Sequence, residues 1–98
     1  MNMQAMLKQA QALQKDMLKV KNEIDNTEFV GESSLVKVTL KGTKEVVKVE
    51  IDAKDGLEKD DVEVLEDMIV IAMNDANKKI DKMMESKMGK FGNIPGMF

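Results

Sequence analysis

The polar pair Asn74-Asp75 follows five apolar residues in the stretch IVIAMNDANKKI (Ile69 to Ile80), a setting in which a buried polar site could perform chemistry. The rest of the sequence offers it no chemical partner. There is no histidine, which removes the commonest general base and the commonest metal ligand. There is no cysteine, tyrosine or tryptophan either, so thiolate chemistry, disulfides and Cys-based metal sites are excluded. Ser33, Ser34 and Ser86 stand in no G-x-S-x-G or S-x-x-K context, and no glycine-rich phosphate cradle is present. The acidic stretch Asp52 to Lys59 invites a calcium reading. Counted from Asp52, however, the third and fifth ligand positions are Lys54 and Gly56, and the pattern fails. The expectation is a protein with no catalytic residue, metal, cofactor or small-molecule substrate.

The elements that must position these residues follow from periodicity. Met3, Met6, Ala10, Leu13, Met17, Val20 and Ile24 alternate at spacings of three and four, a heptad seam with Gln and Lys between. This predicts a helix over about residues 2–26, roughly 37 Å long, that needs another helix to cover its stripe. The pattern then changes to period two. Phe29 and Val30 predict a short strand that breaks at GESS (Gly31 to Ser34). Val36, Val38 and Leu40, then Val47, Val49 and Ile51, predict a hairpin.

Its register can be argued from charge. A two-residue loop would set Lys37 against Lys48. A four-residue loop, Gly42 to Glu45, sets Leu40 against Val47, Val38 against Val49, Val36 against Ile51 and Lys37 against Glu50. One sheet face is then apolar and the other charged.

A second helix is expected from Asp60, capped by Asp60 with Glu63, to Met88, stopping at Gly89. Leu57 is placed to staple onto its first turn. Acids crowd its start, and Lys78, Lys79, Lys82 and Lys87 crowd its end, as the helix dipole favours. Val62, Leu65, Ile69, Ala72, Ala76, Ile80 and Met83 share one face, assigned to the sheet. Asn74 falls on the far side beside Val70 and Ile71, and Asp75 on a flank. Two apolar residues on a face that a monomer leaves wet point to a homodimer. Leu13, Met17, Val70, Ile71 and Asn74 are the candidate interface residues.

The expected organisation is one α+β domain over 1–88 and a Gly/Pro-containing apolar tail over 89–98. A chain of 98 residues buries little core, which also favours an oligomer. The first residues read as amphipathic and too polar for a signal peptide, and the longest apolar run, Met68 to Met73, is far short of the ~20 residues that span a membrane. A cytoplasmic protein is expected.

The net charge is −3, but it is unevenly spread. Residues 55–77 carry −7, residues 1–26 carry +1 and residues 78–98 carry +3. All 15 cations are lysine, so the bidentate forks that suit guanine edges are missing.

GESSLVKVTLKGTKEVVKVEID (Gly31 to Asp52), LEDMIVIAMNDANKKI (Leu65 to Ile80), the ending GNIPGMF and the MLKQAQALQKDM type of first helix together resemble the YbaB/EbfC family of bacterial nucleoid-associated proteins. The resemblance covers nearly the whole chain. It implies an α-β-β-β-α protomer and an intertwined, tweezer-like homodimer. It also implies binding to double-stranded DNA, a nucleoid location and a role in nucleoid organisation or gene expression. Non-specific binding needs lysines on outward positions. The candidates are Lys8, Lys15 and Lys19 on the first helix, flanked by Gln4 and Gln11, and Lys78, Lys82, Lys87 and Lys90 near the end. The alternative reading is a dimeric helical adaptor that binds another protein and no DNA.

Overall fold

In a computed structural model that describes residues 2–89, the chain runs helix α1 (Met3–Asp25), strands β1 (Glu28–Ser33), β2 (Val36–Lys41) and β3 (Val46–Ile51), and helix α2 (Asp61–Met88). The expected α+β order is observed. Asn2 starts α1: its Oδ1 accepts the Gln4 N–H at 3.0 Å, satisfying one of the free donors of the first turn. Asn26 and Thr27 stop it. The backbone and side-chain amides of Asn26 both donate to the Asn22 carbonyl, and Thr27 Oγ1 donates to the Glu23 carbonyl at 2.6 Å. Those bonds consume carbonyls that a further helical turn would have used.

Helix α2 starts differently from the sequence expectation. Asp60 is itself in helical conformation and makes no capping bond. Asp61 reaches back instead, with Oδ2 accepting the Glu58 N–H at 2.9 Å, which braces the turn that leads into the helix.

The three strands form one antiparallel sheet in the order β1-β2-β3. The predicted break at Gly31 is not there: β1 continues through Gly31 and Glu32 and turns at Ser34, which takes a φ of 50°. Gly31 has a different task. A Cβ at this position would run into the Ala72 carbonyl and the Ala76 amide, so glycine lets α2 lie directly on the strand. Ala72 and Ala76 are small for the same reason.

The hairpin β2-β3 has the expected pairs Val36–Ile51, Lys37–Glu50 and Val38–Val49. The far end differs: Leu40 faces Val46, not Val47, and Val47 is the extra residue of a β-bulge. The loop is one residue shorter than expected. Lys41 N–H donates to the Glu45 carbonyl at 2.9 Å, and Lys44 closes the loop with a φ of 75°. A three-residue loop with its last residue in the left-handed region forms a bulge at that residue, and the extra residue at Val47 then joins this loop to the register set by Lys37 and Glu50.

The core lies between the sheet and α2 and continues into the seam between α1 and α2. Val36, Val38 and Leu40 on β2 are buried with Phe29, Ala72, Ala76, Ile80, Met17, Ile24 and Met88. Of the heptad stripe on α1, Met17 and Ile24 are buried and Val20 packs against them, whereas Met3, Met6 and Leu13 are exposed. Helix α2 thus covers the C-terminal half of α1 and leaves the N-terminal half open. Val62, assigned to the sheet face of α2, is exposed as well, because the helix meets the sheet only from Leu65 onward. The protomer measures 71 × 19 × 16 Å, a long body with little interior.

Candidate nucleic-acid interface

Ion pairing sorts the lysines into two groups. Lys21, Lys37, Lys41, Lys44, Lys48 and Lys79 each lie within 4 Å of a carboxylate on the same chain. Among the described residues, Lys8, Lys15, Lys19, Lys78, Lys82 and Lys87 form no ion pair, and all six are exposed. Lys90 lies outside the described residues. Charges on the sheet are therefore largely neutralised in place, and those on the helices, Lys21 and Lys79 apart, are available to an external anion.

On α1 the free lysines share a face. Gln4, Lys8, Gln11, Lys15, Lys19 and Asn22 recur at spacings of three and four, so they form a stripe about 27 Å long. No acid interrupts it: Asp16, Glu23 and Asp25 all fall to its sides, and Asp25 is held by Lys21 at 3.1 Å. The stripe points about 180° away from the seam made by Met17, Val20 and Ile24, so packing onto α2 leaves it fully presented. Lys15, Lys19, Asn22 and Asn26 also line a shallow groove with Leu18, and Asp16 and Glu23 stand on its walls beside the stripe. Asn22 was not among the residues singled out from sequence; its place in the stripe follows from the same spacing that marked Lys8 and Lys15.

The lysines of α2 are not one patch. Lys78 and Lys82 share a face, with Glu85 on it as well, whereas Lys87 lies nine residues from Lys78 and so about half a turn away, on the opposite side. Lys78 and Lys82 face away from α1. The acids of the loop and of the first turns of α2 sit toward the other end of this helix, away from its contact with α1.

The candidate interface residues also separate. Val70 and Ile71 are 57% and 55% exposed, Leu13 is 41% exposed and Asn74 is exposed, so all four are open to a partner. Met17 is not: it is buried within the protomer's own core, because α2 reaches it from the same chain. Sequence reasoning missed a larger open surface. Val46, Val47, Val49 and Ile51 of β3 are all 42–46% exposed, since α2 covers β1 and β2 and stops short of the third strand. The alternation in β3 signalled an apolar face, but not that the helix would be too narrow to cover it.

Asp75 proves to be structural. Its Oδ2 accepts the Glu32 N–H at 3.2 Å and lies 3.5 Å from Lys79 Nζ. The backbone bond from Glu32, helped by Lys79, holds its carboxyl below the usual carboxylate range.

The model of the YbaB/EbfC DNA-binding family matches residues 1–94. The chain belongs to that family. It is a family of non-enzymatic proteins. The YbaB/EbfC chain is 42% identical to a nucleoid-associated protein of Ligilactobacillus salivarius, over 99% of this chain and 95% of that one. It is 47% identical to a nucleoid-associated protein of Streptococcus thermophilus, over 97% and 98% of the two chains. The fold is that of the crystal structure of HP0035, an uncharacterised protein of Helicobacter pylori, with a TM-score of 0.75, 18% identity and coverage of 95% and 99%. No helix among the described residues is long and apolar enough to cross a membrane.

Proposed function

We propose that this YbaB/EbfC protein binds double-stranded DNA as a tweezer-like homodimer, with little sequence specificity, and helps to organise the bacterial nucleoid. The observation that carries this reading is the acid-free stripe of Gln4, Lys8, Gln11, Lys15, Lys19 and Asn22 on α1. Its lysines have no ion-pair partner among the described residues, and its length approaches one turn of duplex DNA, about 34 Å. Lysines neutralise phosphates and release counterions, and amide side chains donate hydrogen bonds to phosphate oxygens. Contacts to phosphate carry no base identity, and the chain has no arginine fork for guanine edges.

The homodimer is supported by the uncovered apolar surfaces of α1, β3 and α2, which one protomer of this size has no second layer to bury. The names of the relatives support the nucleoid location. The test is duplex binding measured over a range of salt, for the natural chain and for one carrying Lys8→Glu, Lys15→Glu and Lys19→Glu. Steeply salt-dependent binding that the triple change weakens, with the dimer and helix content retained, is the expected result. No binding even at low salt would leave the exposed Met3, Met6 and Leu7 of α1 as the working surface of a protein-binding adaptor.

A further inference from the structure

We infer that residues 90–98 dock along the open N-terminal half of α1 in the same chain, where Phe91, Ile94 and Met97 cover the seam from Leu13 to Met3. The docking is independent of the DNA reading.

The two helices are anchored at the same hairpin. The Ile24 carbonyl lies so close to Gly42 that a Cβ there would run into it, and Asp81 pairs with Lys44 in the same loop. Seven residues from Ile24 along α1 stands Met17, and seven residues from Asp81 along α2 stands Met88, each about 10 Å from its anchor. Both methionines are buried in one core. The helices therefore run side by side in opposite directions, and α2 stops level with Met17.

Helix α1 does not stop there. Its seam continues for about 21 Å, through Leu13, Ala10 and Met6 to Met3. Exposure climbs with distance from the end of α2: Met17 is 2% exposed, Leu13 41%, Met6 51% and Met3 77%. Among the described residues nothing covers this stretch. A helical segment of about eleven residues with no layer against it is marginal in water. The same turns carry Gln4, Lys8 and Gln11 on their reverse side, so half of the lysine stripe depends on their order.

The residues that follow α2 have the starting point, length and composition to supply the missing layer. Gly92, Pro95 and Gly96 oppose a continued helix. An extended polyproline-type chain has three residues per turn and rises about 3.1 Å per residue. At that period Phe91, Ile94 and Met97 share one face, and nine residues span about 28 Å, enough to reach Met3 from the end of α2. Continuing in the direction of α2 brings Phe91 to Leu13, Ile94 to Ala10 and Met6, and Met97 with Phe98 to Met3. The thioethers of Met3 and Met6 suit aromatic neighbours and adapt to an irregular chain. The lysine stripe, on the far side of α1, stays open. Leu7 and Leu18 lie about a quarter turn from the seam and stay open as well.

The chain contains no cysteine, so introduced pairs report position cleanly. The full-length chain carrying Leu13→Cys with Phe91→Cys is oxidised beside one carrying Lys15→Cys with Phe91→Cys, whose first cysteine sits on the stripe side of α1. The expected result is a disulfide within one chain that forms much faster for the Leu13 pair. Hydrogen exchange is then compared between the natural chain and Phe91→Ser with Ile94→Ser and Met97→Ser. Amides of residues 6–13 should exchange about tenfold faster in the triple variant, with those of Val20 to Ile24 unchanged. Equal cross-linking of the two pairs, a disulfide that joins two chains, or unchanged exchange in the triple variant overturns the docking.

Discussion

Lys79 Nζ donates to the backbone carbonyl of Val30 at 2.6 Å, and one helical turn earlier Asp75 accepts the N–H of Glu32. The two side chains fasten α2 to β1 and occupy two of the outward backbone groups at the middle of that strand, the Val30 carbonyl and the Glu32 N–H. Removing both by Asp75→Ala and Lys79→Ala should leave the core intact, since Ala72, Ala76 and Ile80 carry the packing. The variant is expected to keep its helix content and to self-associate beyond the dimer on standing. Light scattering against protein concentration checks this; a variant that scatters like the natural chain shows that the edge needs no cover.

The same contact makes part of the stability acid-sensitive. The Glu32 N–H and Lys79 favour the ionised form of Asp75 and lower its pKa in the folded chain. A lowered folded pKa means stabilisation that is present above the unfolded value, about 3.9, and is lost as pH falls through the folded value. Asp75→Asn keeps an acceptor oxygen for Glu32 but has no charge to lose. The natural chain should therefore exceed the variant in urea midpoint at neutral pH, and the gap should close below about pH 4. A gap that stays constant with pH would place the effect elsewhere.

Much of this architecture was legible in the sequence, and the exceptions have physical causes. Charge set the hairpin register correctly from Val36 to Lys48, because Lys37 could not oppose Lys48. The bulge at Val47 escaped because it depends on the loop conformation, and a lysine gives no sign that it will adopt a positive φ. Gly31 read as a strand breaker because its neighbours in sequence suggested a turn. Its reason lies 41 residues away at Ala72, and pattern reading along one strand does not see across the layer. The helical spacing that marked Lys8, Lys15 and Lys19 needed no tertiary information, and neither did the exposure of Val70 and Ile71. Met17 was misplaced because a heptad seam looks the same whether its partner helix comes from the same chain or another.

Lys44 offers a direct check on the unexpected loop. A side chain in the left-handed region costs roughly 1–2 kcal/mol relative to glycine. Its ion pair with Asp81, 3.5 Å long between two exposed groups, returns about 0–1 kcal/mol at most. Lys44→Gly should thus stabilise the fold by up to about 1 kcal/mol, seen as a higher urea midpoint with unchanged slope. A destabilised variant would mean that the Lys44–Asp81 contact between the hairpin and α2 is stronger than an ordinary surface pair.

The last prediction concerns which lysines meet DNA. Those of α1 face away from α2, and Lys78 and Lys82 face away from α1, so a straight duplex lying on one set cannot touch the other set of the same protomer. The α1 stripe is free of acids, whereas Glu85 sits on the face of Lys78 and Lys82. Each lost phosphate contact lowers the steepness of the salt dependence by about 0.9 on a log-log plot. Lys8→Glu, Lys15→Glu and Lys19→Glu together should flatten that slope by several units. Lys78→Glu with Lys82→Glu should change it by less than about one unit per protomer. Lys37→Glu is a control on the ion-paired sheet and should leave the slope unchanged, because its charge is already balanced by Glu32 at 3.7 Å. If the α2 pair flattens the slope as much as the α1 triple, the duplex is gripped by both helices, and the two sets must come from different protomers.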